Sequence, residues 1–558
     1  MFKIKTLTLQ KNIYDMKKFF KYVFATVVGL MLFSFLQILI FAMIMGAVVG
    51  MSDTPVALKD NTVFELNLKG MLVERSNDDF TSLMLTKFDS STEQIALNDV
   101  LNSIDKAAKN PKIAGIYLKI GVFSASPASM QEIRKALEEF KKSGKFIVSY
   151  ADIYGNGTYY LASVSDKVFL NPQGTVGVTG MSMPSVFFKN MLDKIGVKIQ
   201  VFKVGTFKSA VEPYINTKMS DENRLQLREL SSSIWNEMLK AISASRNISV
   251  ENINNFVDAG KFLDDATVAL NEHFVDSLIY ENEIKNILEN LTVKDYKSVS
   301  LSEIKRVVDK KSTAKDKIAV FYAVGEIDGG DKNGIVSEKV AAKLVKLAEN
   351  DDIKAVVLRV NSPGGSAYGS EQIWNAVNVV RAKKPVVVSM GDYAASGGYY
   401  IACAADAIFA DENTITGSIG IFGLLPDAQG LFNKIGLNFD VVNTNKLSDL
   451  GNISRPMTDL EKSLIQKSVE RGYDVFTKRC ADGRKMSIED IKKIAEGRVY
   501  SGSDALKLGL VDELGTLQKA ILCAAEKAHL TDYQIVDYPE QKDFLTQMME
   551  GFSTSIET

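Results

Sequence analysis

Two histidines among 558 residues restrict the chemistry open to this chain. His273 lies in Asn-Glu-His-Phe and His529 at the end of a helix expected over 518–528, so both read as surface or helix-end residues. Neither belongs to an HExxH or Cys/His spacing, which argues against a zinc hydrolase. A Ser-His-Asp triad would have to recruit one of them. A serine nucleophile otherwise needs a different base, and lysine serves when burial strips its solvation and brings its pKa towards neutrality. Ser396 is a candidate nucleophile. It stands in GDYAASGGYY (391–400), after the apolar run PVVVSM, where a strand should turn into a helix. Ala395, Gly397 and Gly398 leave its hydroxyl approachable, and a helix N-terminus favours negative charge nearby. This is not the GxSxG elbow, because Ala394 occupies the first glycine position. A helix-capping serine is the plainer alternative.

A second motif, NSPGGS (361–366), follows the strand-like run AVVLRV. Gly364 and Gly365 carry no Cβ, so their backbone amides can approach a ligand closely and donate to an oxyanion. An ordinary tight turn would look the same. The phosphate-loop pattern GxxxxGK[ST] is absent. Bare Ser-x-x-Lys spacings, Ser103 with Lys106 and Ser302 with Lys305, lie in polar stretches and read as surface decoration.

The elements that position these residues are legible in outline. The length exceeds one typical domain, and 46% hydrophobic with 24% charged residues suits a large soluble body. A net charge of −2, from 66 basic and 68 acidic side chains, gives no electrostatic argument for nucleic acid. Cys403, Cys480 and Cys523 are widely spaced and odd in number, which predicts buried free thiols rather than disulfides or a metal knuckle.

Residues 22–52 contain no charged side chain, a run longer than the roughly 20 apolar residues that span a bilayer. Lys11, Lys17, Lys18 and Lys21 precede it, and Asp53 and Asp60 follow. The positive-inside rule then places the N-terminus in the cytoplasm and the body outside it. Val48-Val49-Gly50 matches a signal-peptidase site poorly, so an uncleaved single-pass anchor is expected over a removed signal peptide.

The chain also repeats itself. IAGIYLKIGVFSASPASMQEI from Ile113 resembles IKAVVLRVNSPGGSAYGSEQI from Ile353. Under a constant shift of 240, Asp152 meets Asp392, Tyr159-Tyr160 meets Tyr399-Tyr400, Asp166 meets Asp406, and Gly177 and Gly180 meet Gly417 and Gly420. Lys194-Ile195-Gly196 still meets Lys434-Ile435-Gly436. A gap-free match over about eighty positions makes a tandem duplication. Within each copy, KIAVFYAVGEI, AVVLRV and PVVVSM read as buried parallel strands. SEKVAAKLVKLAEN and SEQIWNAVNVVRAKK have helical spacing, and a buried helix is expected over 397–405. Alternation of this kind predicts an α/β fold with parallel sheets flanked by helices.

VGTFKSAVEPY (204–214), NSPGGS, ASGGYY and TGSIGIFG (416–423) together resemble signal peptide peptidase A, in its long duplicated protease IV form, over roughly residues 55–540. The resemblance implies a tandem Clp-protease/crotonase-like fold and a Ser-Lys endopeptidase that cleaves remnant signal peptides and similar apolar membrane peptides. It implies Ser396 as nucleophile, Lys208 as general base, Ser418 as the hydroxyl that orients the lysine, and Gly365 with Gly364 as the oxyanion turn. Asn361 is left with loop support alone. It further implies a homotetramer in the bacterial inner membrane, with no metal or cofactor. The expected organisation is a cytoplasmic N-terminus and anchor (1–52), a first repeat supplying the lysine (55–304), a linker (305–317), a second repeat supplying the serine (318–540) and a tail (541–558).

The repeat offers a check on this. Under the shift of 240, Ser396 corresponds to Asn156, Gly364-Gly365 to Ser124-Ala125, and Lys208 to Ser448. Each copy lacks what the other keeps, as one shared site per chain would require. A non-catalytic membrane scaffold and a crotonase-type acyl-CoA enzyme are the competing readings.

Overall fold

The computed structural model describes residues 2–52, 55–75, 94–292, 296–308, 313–330 and 334–540. The expected tail lies outside them, as do residues 309–312 of the expected linker. The first element is a single helix, Phe2–Ser52. Its stretch Met16–Ile40 has a mean hydropathy of 2.4 and is exposed throughout, long and apolar enough to cross a membrane.

The body is a separate unit formed by Lys59–Leu301 and Lys310–Thr558, and its two halves repeat the same elements. Helices Leu97–Lys109 and Ser337–Glu349, helices Pro127–Lys141 and Ala367–Arg381, and strands Phe146–Gly155 and Val386–Ala395 each begin and end 240 residues apart. The first sheet runs Gln94–Ala96, Thr62–Val73, Ile113–Ser124, Phe146–Gly155, Lys167–Gly177, Ser277–Leu278, with Lys297–Ser300 beside Thr62–Val73. The second runs Val499–Ser501, Ile415–Gly417, Val386–Ala395, Ile353–Ser362, Lys317–Val324, Gln534–Tyr538. Its central strands are parallel and apolar on both faces, because helices cover both. The expected strand–helix alternation is what forms, and the duplicated α/β fold with it. Cys403 and Cys480 are buried free thiols, but Cys523 is only half-buried. It lies on the last helix, Leu517–Lys527, at the edge of the core.

The constant shift does not survive to the end of the repeat. The 26-residue helices Asp221–Arg246 and Asp459–Arg484, begun by the hydroxyl caps Ser220 and Thr458, lie 238 residues apart. Two residues are therefore missing from the second copy between Gly436 and Asp459. That changes the expected counterpart of Lys208: a shift of 238 pairs it with Lys446, in the same Thr-x-Lys context as Thr206 and Lys208. Lys446 lies in an exposed turn, as does Ser448. The second copy has thus kept a lysine but not buried it.

Two features, among others, bind the repeats. Strand Lys198–Val204 of the first pairs antiparallel with Ile421–Asp427 of the second. A buried charge network also crosses between them. The Arg359 guanidinium donates to Glu74 at 2.6 Å, to Glu132, and to Ser389 Oγ at 2.9 Å. Burial pushes the Glu132 carboxyl up, with Arg359 opposing. Removing one partner of such a network leaves an uncompensated buried charge, a loss of about 3–5 kcal/mol.

Candidate active site

Ser396 ends the strand Val386–Ala395 and precedes the helix Gly397–Ala402. Its backbone sits at φ 54°, ψ −117°, a conformation that side-chain-bearing residues adopt at a cost of about 1–3 kcal/mol. Two backbone bonds hold it there: its N–H donates to Gly417 O at 2.9 Å, and its carbonyl accepts from Tyr400 N at 2.9 Å. Ser396 occupies the N-cap position, yet its side chain makes no capping bond. The capping alternative therefore does not describe it; the hydroxyl points elsewhere.

It points at Lys208. The lysine follows the strand Lys198–Val204 and lies at the start of the 3₁₀ turn Ser209–Val211. Lys208 Nζ is 3.1 Å from Ser396 Oγ, 2.9 Å from Ser418 O and 2.9 Å from Ser418 Oγ. The lysine is 4% exposed, and burial brings its pKa down to about 7. A neutral amine has two hydrogens and one lone pair. With both hydrogens donated to the two oxygens of Ser418, such an amine can turn its lone pair to the Ser396 hydroxyl. Ser418 is itself fixed at φ 52° by its N–H donating to Arg498 O at 2.7 Å.

The Gly364-Gly365 turn lies against Ser396. Gly364 is at φ +110°, and a Cβ on it would stand 2.7 Å from Gly397 N and 2.9 Å from Ser396 Cβ. Gly365 is at φ +143°, and a Cβ there would run into Ile327. The bridge between Ile327 and this turn is made by Gly364 O, which accepts from Ile327 N, and by Ser366 N, which donates to Ile327 O. The Gly365 N–H takes no part in it. Asn361 anchors the turn from behind: its amide donates to Glu74 Oε2 at 2.9 Å and to Asp392 Oδ2 at 3.2 Å, and it accepts from Tyr393 N. Ser129 of the first repeat holds the other oxygen of Asp392. Loop support for Asn361 is what these bonds provide.

Sequence reasoning missed two residues around the lysine, Gln226 and Gly497, and gave a third, Gly420, no role there. Gln226, on the long helix of the first repeat, donates to Phe207 O at 3.0 Å and Ser209 Oγ at 2.9 Å, on either side of Lys208. Its own oxygen accepts from Val499 N of the second repeat. Gly497, at φ +75°, leaves room for the lysine stem, since a Cβ would stand 2.6 Å from Lys208 Cβ. A Cβ on Gly420 would approach Lys208 Cδ to 3.3 Å. No local pattern marks Gln226 or Gly497, because their roles arise only where the repeats meet. His273 and His529 each stand at positive φ just past a helix end. No group of three or more His, Cys, Asp or Glu among the described residues is arranged to hold a metal.

Comparison with known proteins bears on this geometry. The sequence model of peptidase family S49 matches twice, over residues 139–294 and 378–531, once in each repeat. The Clp protease model matches residues 310–414, which contain the glycine turn and Ser396. Protease 4 of Salmonella typhi is 36% identical over 515 residues, covering 88% of this chain and 82% of that protein. Protease 4 of Haemophilus influenzae is 35% identical, covering 86% and 82%. The chloroplastic serine protease SPPA of Arabidopsis thaliana is 30% identical, covering 89% and 74%. These similarities run through both repeats, and so through the segments carrying Lys208 and Ser396 alike. A duplicated α/β chain with a serine on a strained strand-to-helix turn is thus a serine protease of the protease IV type, and it belongs to peptidase family S49.

Proposed function

We propose that the chain is a membrane-anchored endopeptidase in which Lys208 is the general base for Ser396. The observation that carries this reading is the 3.1 Å approach of the two side chains at a lysine whose burial brings its pKa to about 7. Neutral Lys208 takes the Ser396 proton as Oγ attacks the peptide carbonyl. The Gly365 N–H and the start of the helix Gly397–Ala402 stabilise the tetrahedral oxyanion, with Gly364 keeping the turn close. Lys208, now charged, gives its proton to the leaving amine. It then takes a proton from water, which attacks the acyl-enzyme, and returns that proton to Ser396 Oγ as the acyl group leaves as the carboxylic acid. Ser418 keeps the amine aimed throughout.

The first repeat (55–304) would supply the base and the second (318–540) the nucleophile and oxyanion turn, joined by 305–317. The apolar helix would anchor the chain once in a bacterial inner membrane, with residues 1–21 cytoplasmic and the body on the other side. Substrates would be apolar peptides such as remnant signal peptides, and the assembly a homotetramer. The apolar helix supports the anchor, the bacterial relatives support the bacterial setting, and the resemblance to signal peptide peptidase A supports the substrate class and assembly.

The test is cleavage of a synthetic signal-peptide-like peptide by the full chain in detergent, beside Ser396→Ala. Turnover by the wild type and none by the variant is expected. Equal turnover by both, or wild-type cleavage confined to polar peptides, would overturn the reading.

A further inference from the structure

Lys208 and Ser418 hang from one short arch of the second repeat, residues 496–498. Phe207 N donates to Glu496 O at 2.9 Å, Gly497 N donates to Ile419 O at 2.8 Å, and Ser418 N donates to Arg498 O at 2.7 Å. The arch is left-handed at two successive residues, φ 52° at Glu496 and 75° at Gly497. Such a backbone persists only where its surroundings impose it. The Arg498 side chain supplies part of those surroundings. Its guanidinium lies over the Phe207 ring, 4.8 Å from the centroid, and 5.6 Å from the centroid of Tyr500, and it donates to Glu229. A planar guanidinium stacks on aromatic faces at these distances. Phe207 immediately precedes the lysine, so the stack grips the loop that carries it.

Glu229 belongs to the helix Asp221–Arg246 of the first repeat, on the face it shares with Gln226 and Ser233. Along that face Gln226 Oε1 accepts from Val499 N at 3.3 Å, Glu229 accepts from Arg498, and Ser233 Oγ meets Ser501 Oγ at 2.8 Å. The duplication provides an internal control. The matching helix Asp459–Arg484 carries Leu464, Lys467 and Arg471 at those three positions. The turn matching the arch has Lys261 after Gly260, where Arg498 follows Gly497, and Lys261 pairs with Glu272 of its own repeat. A Cβ on Gly260 would meet nothing within 4 Å, whereas one on Gly497 would stand 2.6 Å from Lys208 Cβ. The second set of these elements, whose lysine is the exposed Lys446, thus lacks the arginine and all three of the helix residues that meet its segment.

We propose that Arg498, held by Glu229, is a positioning residue that keeps Lys208 in its buried place beside Ser418 and Ser396. The inference rests on the reading of Lys208 as the base. The guanidinium acts through Phe207 and the arch rather than on the reacting atoms. Charged groups packed around the lysine loop are Glu496, whose carboxylate accepts from Thr206 N at 3.4 Å, and Glu212, buried and bonded to Ser220 and Asn223. The Arg498–Glu229 pair completes them. Burial is the cause of the lysine's lowered pKa, so a loosened loop that admits water raises it. The Arg498 carbonyl that fixes Ser418 survives side-chain replacement, and a variant at 498 therefore tests the guanidinium alone.

The test uses the full chain in detergent and the pH midpoint at which a serine-directed probe labels Ser396. Arg498→Met should raise that midpoint from about 7 by about one unit. On a peptide substrate, kcat should fall at least about fivefold at pH 7 with KM little changed, and the deficit should narrow as pH rises to about 9. Arg498→Lys, which keeps the charge without the planar stack, should fall between Arg498→Met and wild type. Glu229→Gln should move the midpoint the same way by less. A lower melting temperature or a uniformly lower kcat with the midpoint unmoved would make Arg498 a structural residue and overturn the inference, while leaving Lys208 as the base. A wild-type midpoint near about 10.4, or labelling undiminished in Lys208→Ala, would overturn the base reading and this inference with it.

Discussion

Lys208 Nζ lies 3.1 Å from Ser396 Oγ although 188 residues separate them in the chain. The contact exists because strand Lys198–Val204 of the first repeat is paired with Ile421–Asp427 of the second, which delivers the lysine to the serine's side of the joint. Four predictions follow from how that pair is built and held.

Replacing either partner should remove catalysis by different amounts. Ser396→Ala leaves no nucleophile and should give no detectable acyl-enzyme. Lys208→Ala and Lys208→Arg should each lower kcat about 10²–10⁴-fold, the usual contribution of a general base. Arginine keeps the charge but cannot accept the proton. Steady-state kinetics with one peptide substrate checks both.

Lys208 should also burden stability. Its pKa falls from 10.5 unfolded to about 7 folded, so between those values the unfolded chain binds more protons. Stability contributed at this site therefore rises as pH rises from about 7 to 10.5, and is lowest below 7, where a buried amine must be charged. Carrying it costs roughly 5 kcal/mol at neutral pH relative to an uncharged side chain. Lys208→Met should be inactive yet melt higher than wild type at pH 6, with the gap closing towards pH 10. A constant gap across that range would show that the lysine does not titrate as described.

The glycine turn should act on kcat, and its replacement should lower stability as well. At Gly364 an added methyl would press on Ser396 Cβ, and at Gly365 on Ile327; both glycines also sit at positive φ. Gly364→Ala and Gly365→Ala should each lower kcat about 10²–10³-fold, the scale of losing one oxyanion donor. KM should change far less.

Gln226 and Gly497 position Lys208. Gln226→Leu frees the backbone on both sides of Lys208, and Gly497→Ala pushes on its stem. Both should lower kcat by about tenfold or more and broaden or shift the pH profile towards that of an exposed lysine near 10.4. Loss of melting temperature with an unchanged pH profile would make them merely structural.

How much of this the sequence carries depends on how local each signal is. The repeat, the strand–helix alternation and the strained serine turn are local, since small residues and apolar spacing mark them directly. The same motifs singled out Lys208, Gly364 and Gly365 through family resemblance. Long-range partners were not legible. Gln226, Gly497 and the Glu74–Asn361–Asp392 support act only where the two repeats meet, and nothing near them in the chain announces it. The counterpart of Lys208 was misplaced for the same reason: a two-residue deletion in a loop of the second copy shifts Ser448 to Lys446, and only the positions of the long helices reveal it.

The most direct test of the central claim is the rate at which a serine-directed covalent probe labels Ser396 as a function of pH. A base with its pKa at about 7 predicts labelling that rises through a single midpoint near that value and is lost in Lys208→Ala. A midpoint near 10.4, the value of a solvated lysine, or undiminished labelling in Lys208→Ala, would contradict the assignment of Lys208 as the base.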